Sequence, residues 1–196
     1  MSTNPFALFD TSEGSFKAEI FLDKMPLTAS NFLDLVKLGF YDGQHIHRVI
    51  QGFMVQFGCP YSREVTDVRK GTGRAPPKSR FAMPDGKKTK RDDNGFIPDE
   101  FTVNLANIPG TLAMANENEP NTGSSQFFIN LAYNNFLNHW VDVDEDGEPC
   151  QDQKHPVFGY VVDGWDVILK IARTRVTVPD DYPAIPILVH KVTIIK

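Results

Sequence analysis

His47-Arg48-Val49-Ile50-Gln51-Gly52-Phe53-Met54-Val55-Gln56 reads as a β-hairpin that sets Arg48, Phe53, Met54 and Gln56 on one surface. Strand residues alternate faces, so Phe53 and Met54 point apart unless the backbone bends between them. Gly52, immediately before that pair, permits such a bend. Taken alone, the stretch is an ordinary hairpin with an apolar core face and an exposed arginine. What changes its meaning lies downstream.

Met114-Ala115-Asn116 leads through a polar loop into Asn121-Thr122-Gly123-Ser124-Ser125-Gln126-Phe127-Phe128-Ile129. Phe136-Leu137 and Lys154-His155-Pro156-Val157-Phe158-Gly159 follow. In this order, and over nearly the whole chain, the pieces resemble the cyclophilin family of peptidyl-prolyl cis-trans isomerases. That family's hairpin usually reads F-H-R-x-I-P-G-F-M-x-Q-G-G, and its second block M-A-N-x-x-P-N-T-x-G-S-Q-F-F-I. Two long blocks in sequence are far more specific than one short motif. The resemblance implies an all-β protein, an eight-stranded antiparallel closed barrel capped by one helix at each end.

The totals agree with a single domain over 1–196 that buries a sizeable core. Apolar residues make up 41% and charged residues 23%, ordinary for a globular protein. Fifteen phenylalanines against two tryptophans predict a core filled by phenyl rings. A formal net charge of -5 offers no basic field for nucleic acid or an anionic membrane. With no secretory signal and no window of ~20 apolar residues, a cytoplasmic monomer is expected. On that expectation Cys59 and Cys150 remain reduced thiols rather than a disulfide.

Along the chain, Phe6 to Asp10 and Ser15 to Leu22 form a hairpin turning at Glu13-Gly14, with Phe16, Ala18 and Ile20 on its buried face. Thr28 is the expected N-cap of a helix reaching Leu38, whose buried stripe is Phe32, Leu35 and Val36. A long irregular region, about 60–104, contains Gly71-Thr72-Gly73, which resembles the family's G-T-G turn. It also contains Lys87-Lys88-Thr89-Lys90-Arg91, read as a solvated loop tip because it lacks interleaved aromatics. Thr111 to Ala115, Gln126 to Leu131, Val157 to Val162 and Leu188 to Ile195 are strands. Gly164-Trp165-Asp166 opens a second helix.

The chemistry implied by the resemblance needs no nucleophile, metal or cofactor. An X-Pro bond turns slowly because amide resonance opposes it, with a barrier of ~18–20 kcal/mol. An enzyme accelerates the turn by binding the twisted amide more tightly than either planar form. Twisting localises the lone pair on the prolyl nitrogen, where a guanidinium donates a hydrogen bond. Arg48 matches the family arginine given that role, and an arginine stays charged at any working pH. Phe53, Met54, Phe128 and Leu137 match the apolar slot for the proline ring, with Phe136 as its aromatic wall. Gln56 matches the residue that orients the arginine. Ala115 and Asn116 match the segment whose backbone pairs with the substrate chain. Gln126 and His155 match further substrate contacts, His155 as a polar rim group rather than a proton carrier. His47 lies opposite Arg48 and reads as structural. His45 and His47 share a face, but two histidines are weak grounds for a metal.

Three departures from the family pattern stand out. Gln51 replaces a proline. Phe136 stands where many members have tryptophan and lacks the indole N–H used to grip cyclosporin, so cyclosporin-type inhibitors are expected to bind with reduced affinity. Glu117-Asn118-Glu119 replaces a smaller neutral pair, placing Glu117 and Glu119 at a secondary pocket for residues upstream of the proline. Proline-containing polypeptides are the expected partners. Two other readings compete: a non-catalytic proline-peptide binder or chaperone, and a calcium-responsive module in the acidic insertion 138–153. There Asp142, Asp144 and Asp146 followed by Gly147 match the start of an EF-hand loop, but Gln153 replaces the closing glutamate.

Overall fold

The computed structural model describes residues 4–143 and 154–195. Cys150, and with it the pairing question, lies outside the described residues, as does most of the partial calcium loop.

The strands are β1 (Phe6–Thr11), β2 (Gly14–Ile20), β3 (His45–Ile46), β4 (Arg48–Ile50), β5 (Met54–Phe57), β6 (Arg80–Ala82), β7 (Lys88–Lys90), β8 (Thr111–Met114), β9 (Phe127–Asn130), β10 (Val157–Asp163) and β11 (Ile187–Ile195). The helices are α1 (Pro26–Lys37) and α2 (Trp165–Ala172). Nine strands form one sheet in the order β3-β11-β1-β2-β10-β8-β9-β5-β4, and β6 and β7 make a separate hairpin. The two ends of that order, β3 and β4, are consecutive in the chain with only His47 between them. The sheet therefore curls into a nearly closed barrel. The expected count of eight becomes nine at this point. His45-Ile46 pairs with β11, whereas Arg48 to Ile50 pairs with β5, so one strand is divided at His47.

Alternation decides what fills the barrel. Phe9, Phe16, Phe57, Phe127 and Phe158 are all essentially buried, and Phe32 enters from α1. Phe9 and Phe16 are direct cross-strand partners with ring centroids 4.5 Å apart, and Phe127 meets Phe57 at 4.3 Å and Phe32 edge-on at 5.3 Å. Such pairs add about 0.5–1.5 kcal/mol each beyond area burial. The predicted helical stripe of Phe32, Leu35 and Val36 is buried as expected. From the other side α2 contributes Ile168 and Ile171, both fully buried. Gly164 starts α2 in the left-handed region (φ 76°), and a Cβ there would lie 2.6 Å from the Ser15 carbonyl oxygen.

Two local expectations are corrected. Thr28 does not cap α1: the helix begins at Pro26, and the buried Thr28 hydroxyl has no hydrogen-bond partner. Instead the Glu100 carboxylate, 72 residues away in sequence, accepts from Leu27 N (2.9 Å) and Thr28 N (2.7 Å). A full negative charge on the first free N–H groups also meets the positive end of the helix dipole. The region 60–104 is less irregular than its sequence implied, holding a 3-10 turn at Pro60–Arg63 and the β6–β7 hairpin.

The basic cluster is likewise divided. Lys88 and Lys90 are exposed on β7, but Arg91 is fully buried. Its Nε donates to Asn31 Oδ1 (2.8 Å), Nη1 to Ser79 Oγ (2.9 Å) and Nη2 to Asp34 Oδ2 (2.9 Å). Its guanidinium carbon lies 4.8 Å from the centroid of the Phe81 ring. Arg91 thus fastens the long segment to α1. No helix among the described residues is long and apolar enough to cross a membrane.

Candidate active site

The site stands on the outer wall of the barrel. Along β5, β8 and β9, Val55, Phe57, Leu112, Met114, Phe127 and Ile129 face the core. The alternate residues Met54, Ala113 and Phe128 point outward and form a second apolar cluster with Leu137 and Val157. Registry then sets the polar groups in line. Arg48 pairs with Gln56, Gln56 with Phe128, and Phe128 with Ala113, giving one row across four strands. The row beside it holds Ile50, Met54 and Asn130.

The bend permitted by Gly52 is present. Gly52 has φ 75°, Phe53 lies in the turn rather than in β5, and Phe53 N donates to Ile50 O (3.0 Å). Phe53 and Met54 therefore line the same cleft. The Phe53 carbonyl accepts from Leu131 N (2.9 Å) and Asn134 Nδ2 (3.2 Å), which fixes the turn. Phe136 stacks on Phe53 with centroids 6.0 Å apart. A short 3-10 turn, Asn135–Leu137, brings in Leu137, and the Leu137 carbonyl accepts from His155 N (3.1 Å).

These elements enclose a cleft of about 370 Å³ lined by Arg48, Phe53, Met54, Gln56, Phe128, Leu137 and His155, with Ala115 and Asn116 along one side. Its floor is apolar: Met54, Phe128 and Leu137 are largely buried there. The Asn116 side chain is engaged locally, donating to Lys154 O (2.9 Å) and accepting from Asn118 N (3.1 Å). Its backbone N–H and C=O make no hydrogen bond among the described residues, leaving a short strand edge beside the cleft.

His155 is held by Nδ1 to Met114 O at 2.8 Å. A carbonyl only accepts, so Nδ1 carries the proton and Nε2 keeps its lone pair. One edge of the ring reaches the cleft, but burial of the rest lowers its pKa to about 4, against the opposing effect of the Met114 hydrogen bond. The ring is neutral at neutral pH. On the far side of the strand, His47 is buried with neither ring nitrogen hydrogen-bonded. Burial, opposed by the neighbouring Gln126 side chain and reinforced by the charges of Arg48 and Lys70, lowers it likewise to about 4.

Two sequence expectations meet a different geometry. Gln56 Nε2 donates to Gln126 Oε1 (3.0 Å), and among the described residues its Oε1, the atom able to accept from a guanidinium, takes no hydrogen bond from Arg48. Gln126 in turn gives both amide hydrogens away, to Gly71 O and Gly73 O at 2.8 Å each. It braces the Gly71-Thr72-Gly73 turn beside a smaller recess of about 50 Å³ next to the main cleft. Glu117 lines that recess; Glu119 does not. Glu117 is already paired, accepting from Arg74 Nε (2.6 Å) and Nη2 (2.7 Å).

Sequence reasoning missed Asn118, Arg74 and Asp181. Asn118 lines the main cleft with φ 58°, and Arg74 follows directly on the G-T-G turn, a position that offered a signal. Asp181 Oδ2 lies 3.8 Å from Arg48 Nε and is 133 residues away, with nothing in the sequence to announce it.

The sequence model described as cyclophilin type peptidyl-prolyl cis-trans isomerase/CLD matches residues 6–194. Peptidyl-prolyl cis-trans isomerase B of Escherichia coli (strain K12) is 36% identical over 189 residues, covering 95% of this chain and 97% of that protein. Peptidyl-prolyl cis-trans isomerase A of Dickeya dadantii (strain 3937) is 35% identical over 198 residues, covering 100% and 87%. Among solved structures, a Cryptosporidium parvum cyclophilin type peptidyl-prolyl cis-trans isomerase superposes with TM-score 0.72 at 22% identity, covering 98% of each chain. The same protein crystallised in the presence of the dipeptide Ala-Pro gives 0.71 at 23% identity, covering 97% of this chain and 99% of that one. At that identity the superposition speaks for the fold, and the sequence matches speak for the family. The chain belongs to the cyclophilin-type peptidyl-prolyl cis-trans isomerases.

Proposed function

We propose that this chain accelerates rotation about X-Pro bonds in proline-containing polypeptides, using the cleft on its outer wall. The observation that carries the reading is the row Arg48–Gln56–Phe128–Ala113, which sets a guanidinium beside an apolar floor. The proline ring enters the slot between Phe53, Met54, Phe128 and Leu137. The residues before it pair with the free backbone of Asn116, as an added strand does. Arg48 donates to the prolyl nitrogen as the amide twists, an interaction unavailable while the lone pair is delocalised. It therefore stabilises the transition state rather than the substrate. His155, neutral with Nδ1–H committed to Met114, holds the rim and moves no proton. Cyclosporin-type inhibitors would share the cleft with reduced affinity, because Phe136 offers no N–H.

The test is Arg48→Ala assayed on a proline tetrapeptide. kcat/KM falls at least ~10-fold, about 1.4 kcal/mol of lost transition-state stabilisation, while the fold is retained. Arg48→Lys rescues poorly because an ammonium lacks the planar fork. Near-normal turnover by folded Arg48→Ala would refute the mechanism. Peptide binding without turnover by the intact protein would favour the non-catalytic binder.

A further inference from the structure

We infer that Asp181 is a positioning residue for Arg48, acting through the charge of its carboxylate; this rests on the isomerase reading above. Arg48 is a long side chain, 43% exposed, whose guanidinium makes no hydrogen bond among the described residues. Gln56, to which the resemblance gives the orienting role, turns its Nε2 to Gln126, and among the described residues no hydrogen bond joins its Oε1 to Arg48. The group that does face the arginine is Asp181, with Oδ2 3.8 Å from Nε.

Asp181 is not a loose surface acid. Its carbonyl accepts the N–H of Val49, the residue next to Arg48, at 2.9 Å. Its own N–H donates to Thr177 O at 3.0 Å, and Thr177 N donates to Tyr182 O at 2.8 Å. The base of the loop is closed by a bridge between Val176 and Pro183. Lys70 Nζ lies 4.4 Å from the centroid of the Tyr182 ring and pins the loop from outside. Asp181 itself has φ 56°, a left-handed conformation that few residues other than glycine, asparagine and aspartate adopt readily. The loop thus docks by its backbone onto β4 and holds one carboxylate at the Nε edge of Arg48.

The edge matters. A carboxylate beside Nε biases the orientation of the planar fork and leaves Nη1 and Nη2 for the substrate. Orientation of a donor used only in the twisted state is felt in kcat, whereas a contact shared by both states is felt in KM. The pair is loose and partly exposed, so the effect is modest, about two- to fivefold in kcat.

The experiment measures isomerisation of a proline tetrapeptide by NMR exchange, using the full chain. Asp181→Asn removes the charge, tolerates the left-handed backbone and keeps both backbone hydrogen bonds. The expected result is the two- to fivefold fall in kcat with KM unchanged, and no effect of the same substitution in an Arg48→Ala background. Slow hydrogen exchange at the Val49 amide is retained, and the Arg48 Nε–H resonance shifts and exchanges faster. An unchanged kcat overturns the inference. So does an equal loss in the Arg48→Ala background, or a loss that accompanies deprotection of Val49, which would make loop docking the cause. The Nε–H resonance reads the pair without turnover. If wild type fails to isomerise, the functional reading fails, while an unmoved resonance in Asp181→Asn refutes the pairing on its own.

Discussion

Replacing Arg91 by methionine removes the buried guanidinium while keeping an unbranched apolar stem in its place. The wild-type group satisfies Asn31 Oδ1, Ser79 Oγ and Asp34 Oδ2 at 2.8–2.9 Å and lies over Phe81. Asn31 is fully buried, so its side-chain oxygen becomes an unpaired acceptor, costing ~1–3 kcal/mol. Removing one partner of a buried ion pair costs ~3–5 kcal/mol when the other stays dry. Asp34 is 22% exposed and can regain water, which favours the lower end, about 3 kcal/mol. At 2–4 °C per kcal/mol for chains of this size, Tm falls by roughly 6–12 °C. Urea unfolding followed by near-UV circular dichroism measures it, with Lys88→Ala and Lys90→Ala as exposed controls within about 0.5 kcal/mol of wild type. A loss below about 1 kcal/mol for Arg91→Met would refute the anchoring argument.

Phe136→Trp restores an indole N–H at the rim and tightens cyclosporin inhibition by about 0.5–1.5 kcal/mol, read as the inhibition constant, with peptide turnover little changed. Arg74→Ala exposes the Glu117 carboxylate to the smaller recess. Peptides with lysine upstream of the proline then gain over those with glutamate, a preference nearly absent in wild type and erased by salt, as paired competition assays will report. Stability depends on pH through His47 and His155. Both are held near 4 in the folded state against an ordinary 6.5, so the unfolded chain binds the extra protons. Their contribution is complete above about pH 6.5 and is lost as pH falls through about 4, at most ~3 kcal/mol for the fully buried His47. Urea midpoints between pH 7 and 4, with the two imidazole resonances followed by NMR, check the window.

Much of this architecture was readable one residue at a time. The alternation of Phe16, Ala18 and Ile20 named the buried face of β2, and the hairpin from His47 to Gln56 supplied Arg48, Phe53 and Met54 to a single cleft. These features are local, set by a two-residue period and one glycine. What failed to show were partnerships between distant segments. Thr28 is a residue type that caps well, but Pro26 already opens the helix, and the Glu100 carboxylate meets the free N–H groups of Leu27 and Thr28. Arg91 sits in a run of lysines that looks like solvent-facing chain, yet its partners Asn31 and Asp34 come about 60 residues earlier. Arg74 neutralises Glu117 across 43 residues, so a charge that seemed available to substrate is already met. Asp181 reaches Arg48 from near the other end of the chain.

The strand divided at His47 has a consequence for synthesis. Its first half pairs with β11, and β11 also pairs with β1, so both neighbours of the final strand wait for it. At about 5–20 residues per second, a ribosome needs roughly 10–40 s to make Phe6 through Ile195. Until Ile187–Ile195 has left the exit tunnel, β1 and β3 remain open templates for foreign strands. Arg48 belongs to that same divided strand. A nascent copy of this isomerase therefore carries two unpaired strand edges, and the wall that holds Arg48 closes only once Ile187–Ile195 is available to pair.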